Sequence, residues 1–124
     1  VEDVKARILV VDDYVDTATM LVVHLQKAGF DASMALSAAE ALEMVDREQF
    51  VLIIADIAMP AMNGYELVAA LRTRKNYHTV PVIAVTGFGF LDDRERSEQA
   101  GFNAHMVKPI NPLTLISTVN RLLR

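Results

Sequence analysis

Cysteine is absent from this 124-residue chain. Disulfides, thiol nucleophiles and zinc–thiolate centres are excluded with it. That absence fits a cytoplasmic location, the one this reading expects. Histidine is scarce, at three scattered positions, so a soft or borderline metal would find few ligands. No apolar run approaches the roughly 20 residues that span a bilayer, and no secretory signal opens the chain; no membrane contact is expected. Basic stripes are missing too. Twelve Lys and Arg against 16 Asp and Glu leave a net charge of −4, which argues against a direct nucleic-acid surface as the main function. There is no linker, low-complexity tract or repeat at solenoid period. The chain begins at Val1 rather than Met, as an excised domain or processed chain does. What is present, 52% hydrophobic and 23% charged residues, suits one soluble domain over 1–124 with one core.

The stretch around which the rest is organised is 49–64, QFVLIIADIAMPAMNG. Its apolar run from Phe50 to Ala55 is rich in β-branched residues and reads as a strand buried on both faces, as in a parallel sheet. It stops in one carboxylate, Asp56, and is followed by Pro60 and an Asn63-Gly64 turn signal. Arg7 to Val11 is a similar strand ending in Asp12-Asp13. A helix from about Tyr14 to Ala28 follows, with Ala18, Leu21, Val22, Leu25 and Ala28 at helical spacing and Gly29 as its stop. Asp31 to Leu36 reads as a second strand, and Ser37 with Glu40 as a capping box for a helix to about Arg47 that buries Ala41, Leu42 and Val45. Asn63 with Glu66 starts another helix, on Leu67, Val68 and Leu71. Pro81 to Val85 is a fourth strand ending in Thr86-Gly87, and 92–100 a polar helix stopped by Gly101. Ala104 to Val107 is a fifth strand ending in Lys108-Pro109, and Asn111-Pro112 opens a last helix on Leu115, Ile116, Val119, Leu122 and Leu123. Strand and helix alternate five times. That predicts an α/β fold, a doubly wound parallel five-stranded sheet of flavodoxin-like type, and fold statistics favour the order 2-1-3-4-5.

In such a sheet the strand ends share one edge, where open α/β folds place their chemistry. Asp12, Asp13, Asp56, Thr86 and Lys108 all fall there. Three carboxylates together repel unless something positive joins them. Lys108 supplies one charge; a divalent metal is the natural second, and oxygen ligands point to Mg2+. A carboxylate beside Mg2+ can attack phosphorus and become an acyl phosphate. Mg2+ and Lys108 would offset charge on the transferring oxygens, and the Thr86 hydroxyl could donate to one of them.

These residues carry a resemblance. The motifs VVDD (10–13), DIAMPAMNG (56–64), VTG (85–87) and KP (108–109), in that order, resemble the receiver domain of two-component response regulators over roughly Arg7 to Leu123. The resemblance implies that Asp56 takes phosphate from a phosphohistidine of a histidine kinase or histidine phosphotransfer protein. It implies that Asp12, Asp13 and Asp56 hold Mg2+ with the Ala58 backbone carbonyl, that Thr86 and Lys108 bind the phosphoryl group, and that Lys108-Pro109 is cis. A phosphorylation-linked dimer and a change of conformation that controls output are compatible with it. No classical turnover is implied, only self-catalysed phosphoryl transfer to Asp56 and dephosphorylation. The family's dephosphorylation rate depends on the side chains two after the Asp and two after the Thr; here Ala58 and Phe88 cannot orient water, so hydrolysis should be slow.

One departure stands out. The family's switch aromatic lies three residues before the Lys, and here that position is His105. The segment 86–112 looks more like receivers of hybrid histidine kinases, where His is familiar at this place. Phe88, Phe90 and Leu91 after Thr86 read either as a local apolar cluster or as a partner patch. Competing functions meet specific obstacles. A haloacid-dehalogenase-like phosphatase needs a second acid two residues after the nucleophile, where Ala58 stands. A flavodoxin-like cofactor binder would face Asp12-Asp13 where its phosphate loop belongs. The remaining alternative is a degenerate receiver acting as a phosphorylation-independent scaffold, against which the complete acid–Thr–Lys set argues.

Overall fold

The computed structural model describes residues 5–87 and 91–124, without the side chains of 91–94. Five strands and five α-helices alternate along it: β1 (Arg7–Val11), α1 (Val15–Lys27), β2 (Asp31–Ala35), α2 (Ala38–Arg47), β3 (Leu52–Asp56), α3 (Gly64–Arg72), β4 (Val82–Thr86), α4 (Leu91–Ala100), β5 (Ala104–Val107) and α5 (Pro112–Leu123). All strand pairs are parallel, in the order β2-β1-β3-β4-β5.

Strand alternation divides the core. Leu9, Val11, Ile53, Ala55, Val82 and Ala84 pack with Ala41 and Val45 of α2 and Leu67, Val68 and Leu71 of α3. Ile8, Val10, Leu52, Ile54, Ile83 and Val85 pack on the other face with Leu21 and Leu25 of α1 and Leu115 and Val119 of α5. Every residue of β3 and β4 is buried, as a sheet covered on both sides requires. Of the helix residues expected inside, Leu42, Ile116, Leu122 and Leu123 are only partly buried, and Ala28, which caps the end of α1 rather than lying in it, is exposed.

Several boundaries move for visible reasons. The central strand begins at Leu52, not Phe50. The Phe50 N–H donates instead to the Tyr77 hydroxyl at 3.0 Å, and Val51 is exposed. Tyr77 is fully buried in a one-turn 3-10 helix, Lys75–Tyr77, and its hydroxyl donates to Glu48 O at 2.6 Å. Asn63-Gly64 is not a turn pair: Asn63 caps α3 in a full capping box with Glu66, and Gly64 is helical. The sharp backbone feature lies earlier, at Ala61, whose φ is +66°. A left-handed conformation costs an L-residue roughly 1–2 kcal/mol. Ala61→Gly is therefore expected to stabilise the chain by roughly 0.5–1 kcal/mol, after glycine's entropic cost, in urea unfolding.

Arg72 closes the far end of the site's scaffold. Its Nη1 donates to Tyr77 O (2.9 Å) and Val80 O (2.7 Å), and its Nη2 to Gly101 O (2.8 Å) and Asn103 Oδ1 (3.0 Å). One fork thus ties α3 to the approach to β4 and to the α4–β5 turn. Lysine has no fork with which to reach all four. Arg72→Lys should cost about 2 kcal/mol in urea unfolding.

Candidate functional site

Backbone pairing runs past the strands and pins the residues at their ends. The Asp12 N–H donates to Ala35 O (3.1 Å), Ile57 N–H to Val85 O (2.9 Å) and Lys108 N–H to Thr86 O (2.8 Å). Asp56 and Thr86 are the last residues of β3 and β4. Asp12, Asp56, Thr86 and Lys108 therefore meet along one edge of the sheet, around its central strands.

The two buried acids are held alike. Asp12, 1% exposed, accepts from the Tyr14 N–H through Oδ1 at 2.9 Å. Asp56, 5% exposed, accepts from the Ala58 N–H through Oδ1 at 3.2 Å. Each turns its other oxygen to Lys108, whose Nζ lies 3.2 Å from Asp12 Oδ2 and 3.5 Å from Asp56 Oδ2. Asp12 also sits where α1 begins, and that helix has no other side-chain cap: Tyr14 occupies the cap position without supplying one. One carboxylate serves the helix start and the acidic cluster together.

Burial raises the pKa of Asp56 above the usual carboxylate value, and the charge of Asp12 raises it further; Lys108 and the Ala58 N–H oppose both without cancelling them. Burial alone would lower the pKa of Lys108, but the pull of Asp56 and Asp12 outweighs it and leaves the ammonium favoured.

Asp13, exposed, completes the cluster: Asp12, Asp13 and Asp56 can each offer an oxygen with all three atoms within 4.8 Å of one another. Among the described residues, three carboxylates against one ammonium leave two negative charges without a counterpart. Asp12 Oδ2 is buried and, among the described residues, no donor is aligned to it as a hydrogen bond, although Lys108 lies close. A hard divalent cation fits that charge deficit and that all-oxygen donor set, and Mg2+ keeps water and phosphate oxygens beside one or two carboxylates.

Lys108-Pro109 is cis. Thr86 is 7% exposed at the end of β4. His105 is half-buried on the edge strand β5, and the register Ala84↔His105 and Thr86↔Val107 makes it a diagonal neighbour of Thr86 on the same face. Phe88 and Phe90 lie outside the described residues, as does the Leu91 side chain, so the patch expected there has no structural counterpart among them. Gly64, expected only as part of a turn signal, abuts the backbone of Asp56. Its signal was a glycine immediately after a helix cap, where a better helix former usually stands.

A family model described as "Response regulator receiver domain" matches residues 8–120. An uncharacterised 14.6 kDa protein from the sodA1 3′ region of Leptolyngbya boryana is 40% identical over 114 residues, covering 92% of this chain and 87% of that protein. The chain spans about half the length of several other curated relatives, which bear names of transcriptional regulators. Among solved structures, the chemotaxis protein CheY4 of Vibrio cholerae is 33% identical with a TM-score of 0.92, over 96% of this chain and 99% of that one. The receiver domain of the sensor histidine kinase PA1611 of Pseudomonas aeruginosa, which has magnesium coordinated in its active-site cleft, is 27% identical with a TM-score of 0.89, over 97% and 98%.

Proposed function

Because the chain belongs to the family of response regulator receiver domains, we propose that its single domain, residues 1–124, accepts a phosphoryl group on Asp56. The donor is a phosphohistidine of a histidine kinase or histidine phosphotransfer protein, and the setting is the cytoplasm. Among the described residues no helix is long and apolar enough to cross a membrane. The observation that carries the reading is the pairing of buried Asp56 with Lys108 and Asp12 at the end of the central strand.

A carboxylate oxygen of Asp56 attacks phosphorus. The P–N bond to the donor imidazole breaks, and its electron pair stays on that nitrogen, which is neutral once protonated at either ring position. The product is an acyl phosphate. Asp12, Asp13 and Asp56, with the Ala58 backbone carbonyl, would hold Mg2+, which supplies positive charge for the phosphoryl oxygens. Lys108 stands on the Asp56 Oδ2 side and offsets charge on the transferred group, and the Thr86 hydroxyl donates to one of its oxygens. Phosphate adds negative charge and three acceptor oxygens at the edge shared by β3, β4 and β5. Thr86 and, diagonally, His105 are then the groups positioned to register it and to shift the domain's conformation toward its output.

The direct test is intact-protein mass after incubation with acetyl phosphate, with and without Mg2+. A Mg2+-dependent gain of one phosphoryl group is expected. No gain in a protein shown separately to bind Mg2+ would leave the scaffold function instead. The phosphoryl group should also be long-lived, because Ala58 has only a methyl group where a water-orienting side chain would stand. Introducing Glu there, Ala58→Glu, is expected to shorten its lifetime severalfold. A parental lifetime as short as the variant's would contradict this.

A further inference from the structure

Helix α3 opens with glycine, among the poorest helix formers. Gly64 has no left-handed φ, so backbone freedom is not the reason for it. Space is. A Cβ at Gly64 would stand 2.6 Å from the Asp56 carbonyl oxygen, 2.7 Å from Ile57 Cα and 3.2 Å from the Asp56 carbonyl carbon. All three are backbone atoms, so no side-chain rotation relieves the contact.

Neither body can retreat freely. The first turn of α3 is held by the Gly64 N–H on Ile57 O (2.9 Å) and by the reciprocal bonds of Asn63 and Glu66. Behind it, Leu67, Val68 and Leu71 are locked in the core at 1% exposure or less. On the other side Asp56 lies in register with Val85, and beyond it the Ile57 N–H on Val85 O is the bond back to the sheet, the Ala58 N–H on Asp56 Oδ1 and the Met59 N–H on Ile57 O being local to the segment. That short segment is the softer of the two.

We infer that Gly64 is a positioning residue for Asp56: its missing side chain lets α3 close onto the backbone that carries the acceptor carboxylate and the Ala58 carbonyl. The inference rests on the receiver reading of Asp56. A methyl group at 64 would push 56–58 by several tenths of an ångström and turn the carboxylate away from Lys108. Displacements on that scale, far smaller than any unfolding, cost reactivity.

The test compares the full chain with Gly64→Ala where urea titration shows both fully folded. Two quantities are read: phosphoryl uptake from acetyl phosphate in Mg2+, per folded molecule, and the amide chemical shifts of Asp56, Ile57 and Ala58 without metal. Uptake should fall about tenfold to a hundredfold, and outside the first turn of α3 the largest shift changes should fall on 56–58. Arg72→Lys serves as the structural control, losing stability while keeping its uptake rate. Parental uptake in Gly64→Ala overturns the inference, and so do shift changes confined to α3. Should the parent take up nothing, the receiver reading falls, and the amide shifts alone decide whether Gly64 sets the Asp56 backbone. Should Gly64→Ala not fold, the same comparison is made in the Ala61→Gly background, and the same outcomes decide it.

Discussion

Asp56→Asn is expected to take up no phosphoryl group from acetyl phosphate and, in metal-free buffer at neutral pH, to resist urea better than the parent. The first effect follows from chemistry. A carboxamide of nearly the same shape keeps an acceptor for the Ala58 N–H but is no nucleophile toward phosphorus. The second follows from the charge balance. Burial and Asp12 raise the pKa of Asp56 in the folded state. The folded chain therefore holds that proton to a higher pH than the unfolded chain does. The associated stability is fully present below the ordinary carboxylate value and is lost as pH rises through the folded one. At neutral pH the ionised group opposes folding, and Asn removes that opposition, so the urea midpoint is expected to rise. The advantage should close as pH falls toward the ordinary carboxylate range. Mg2+ should stabilise the parent more than the variant, since ligands stabilise the state that binds them. A variant less stable than the parent at neutral pH without metal would contradict this account of the cluster.

The parts of the molecule that were legible in the sequence are those decided locally. A β-branched run that halts at an acid marks both a buried strand and the end of it that carries the acid, so β1 and β3 with Asp12 and Asp56 could be read together. The capping pairs sit three residues apart: Asn63–Glu66 forms both halves of its box, while Ser37–Glu40 forms the half in which the Ser37 hydroxyl accepts from the Glu40 N–H. What could not be read depends on partners far along the chain. Tyr77 stands in a polar stretch, yet it is fully buried because its hydroxyl joins Phe50 N and Glu48 O, 27 and 29 residues away. Arg72 sits at the end of an amphipathic helix, where a cation normally faces solvent, and instead gathers four oxygens from two other segments. Gly64 was read as turn punctuation because local rules attach glycine to turns; its true constraint is a contact with a strand end eight residues earlier. At the site the same limit applies. The sequence places Lys108 at the right edge, but only the fold shows that it bridges both buried acids rather than one.

That bridging sets the second large effect. Lys108→Met keeps the length of the side chain and removes its charge, leaving Asp12, Asp13 and Asp56 with no cation among the described residues facing them. Breaking a fully buried pair costs about 3–5 kcal/mol. Lys108 keeps 27% of its side chain in contact with solvent, so about 2 kcal/mol is expected at neutral pH. Although burial alone would lower the pKa of Lys108, its two acid partners raise it above the ordinary lysine value. Its contribution is thus fully present below that ordinary value and is lost only as pH climbs through the folded one. Acid should erase the defect from the other side: once Asp56 is protonated there is less charge to neutralise, and this begins above the usual carboxylate range because its folded pKa is raised. In the Asp56→Asn background the cost of Lys108→Met should be smaller, a coupling that a double-mutant cycle measures directly. Mg2+ should respond in the opposite sense to stability. With the ammonium gone the deficit rises from two negative charges to three, so the variant is expected to bind the cation more tightly and to recover more of its urea resistance as Mg2+ is added. Weaker Mg2+ binding in Lys108→Met would mean that the lysine shapes the cluster rather than competing with the metal for its charge.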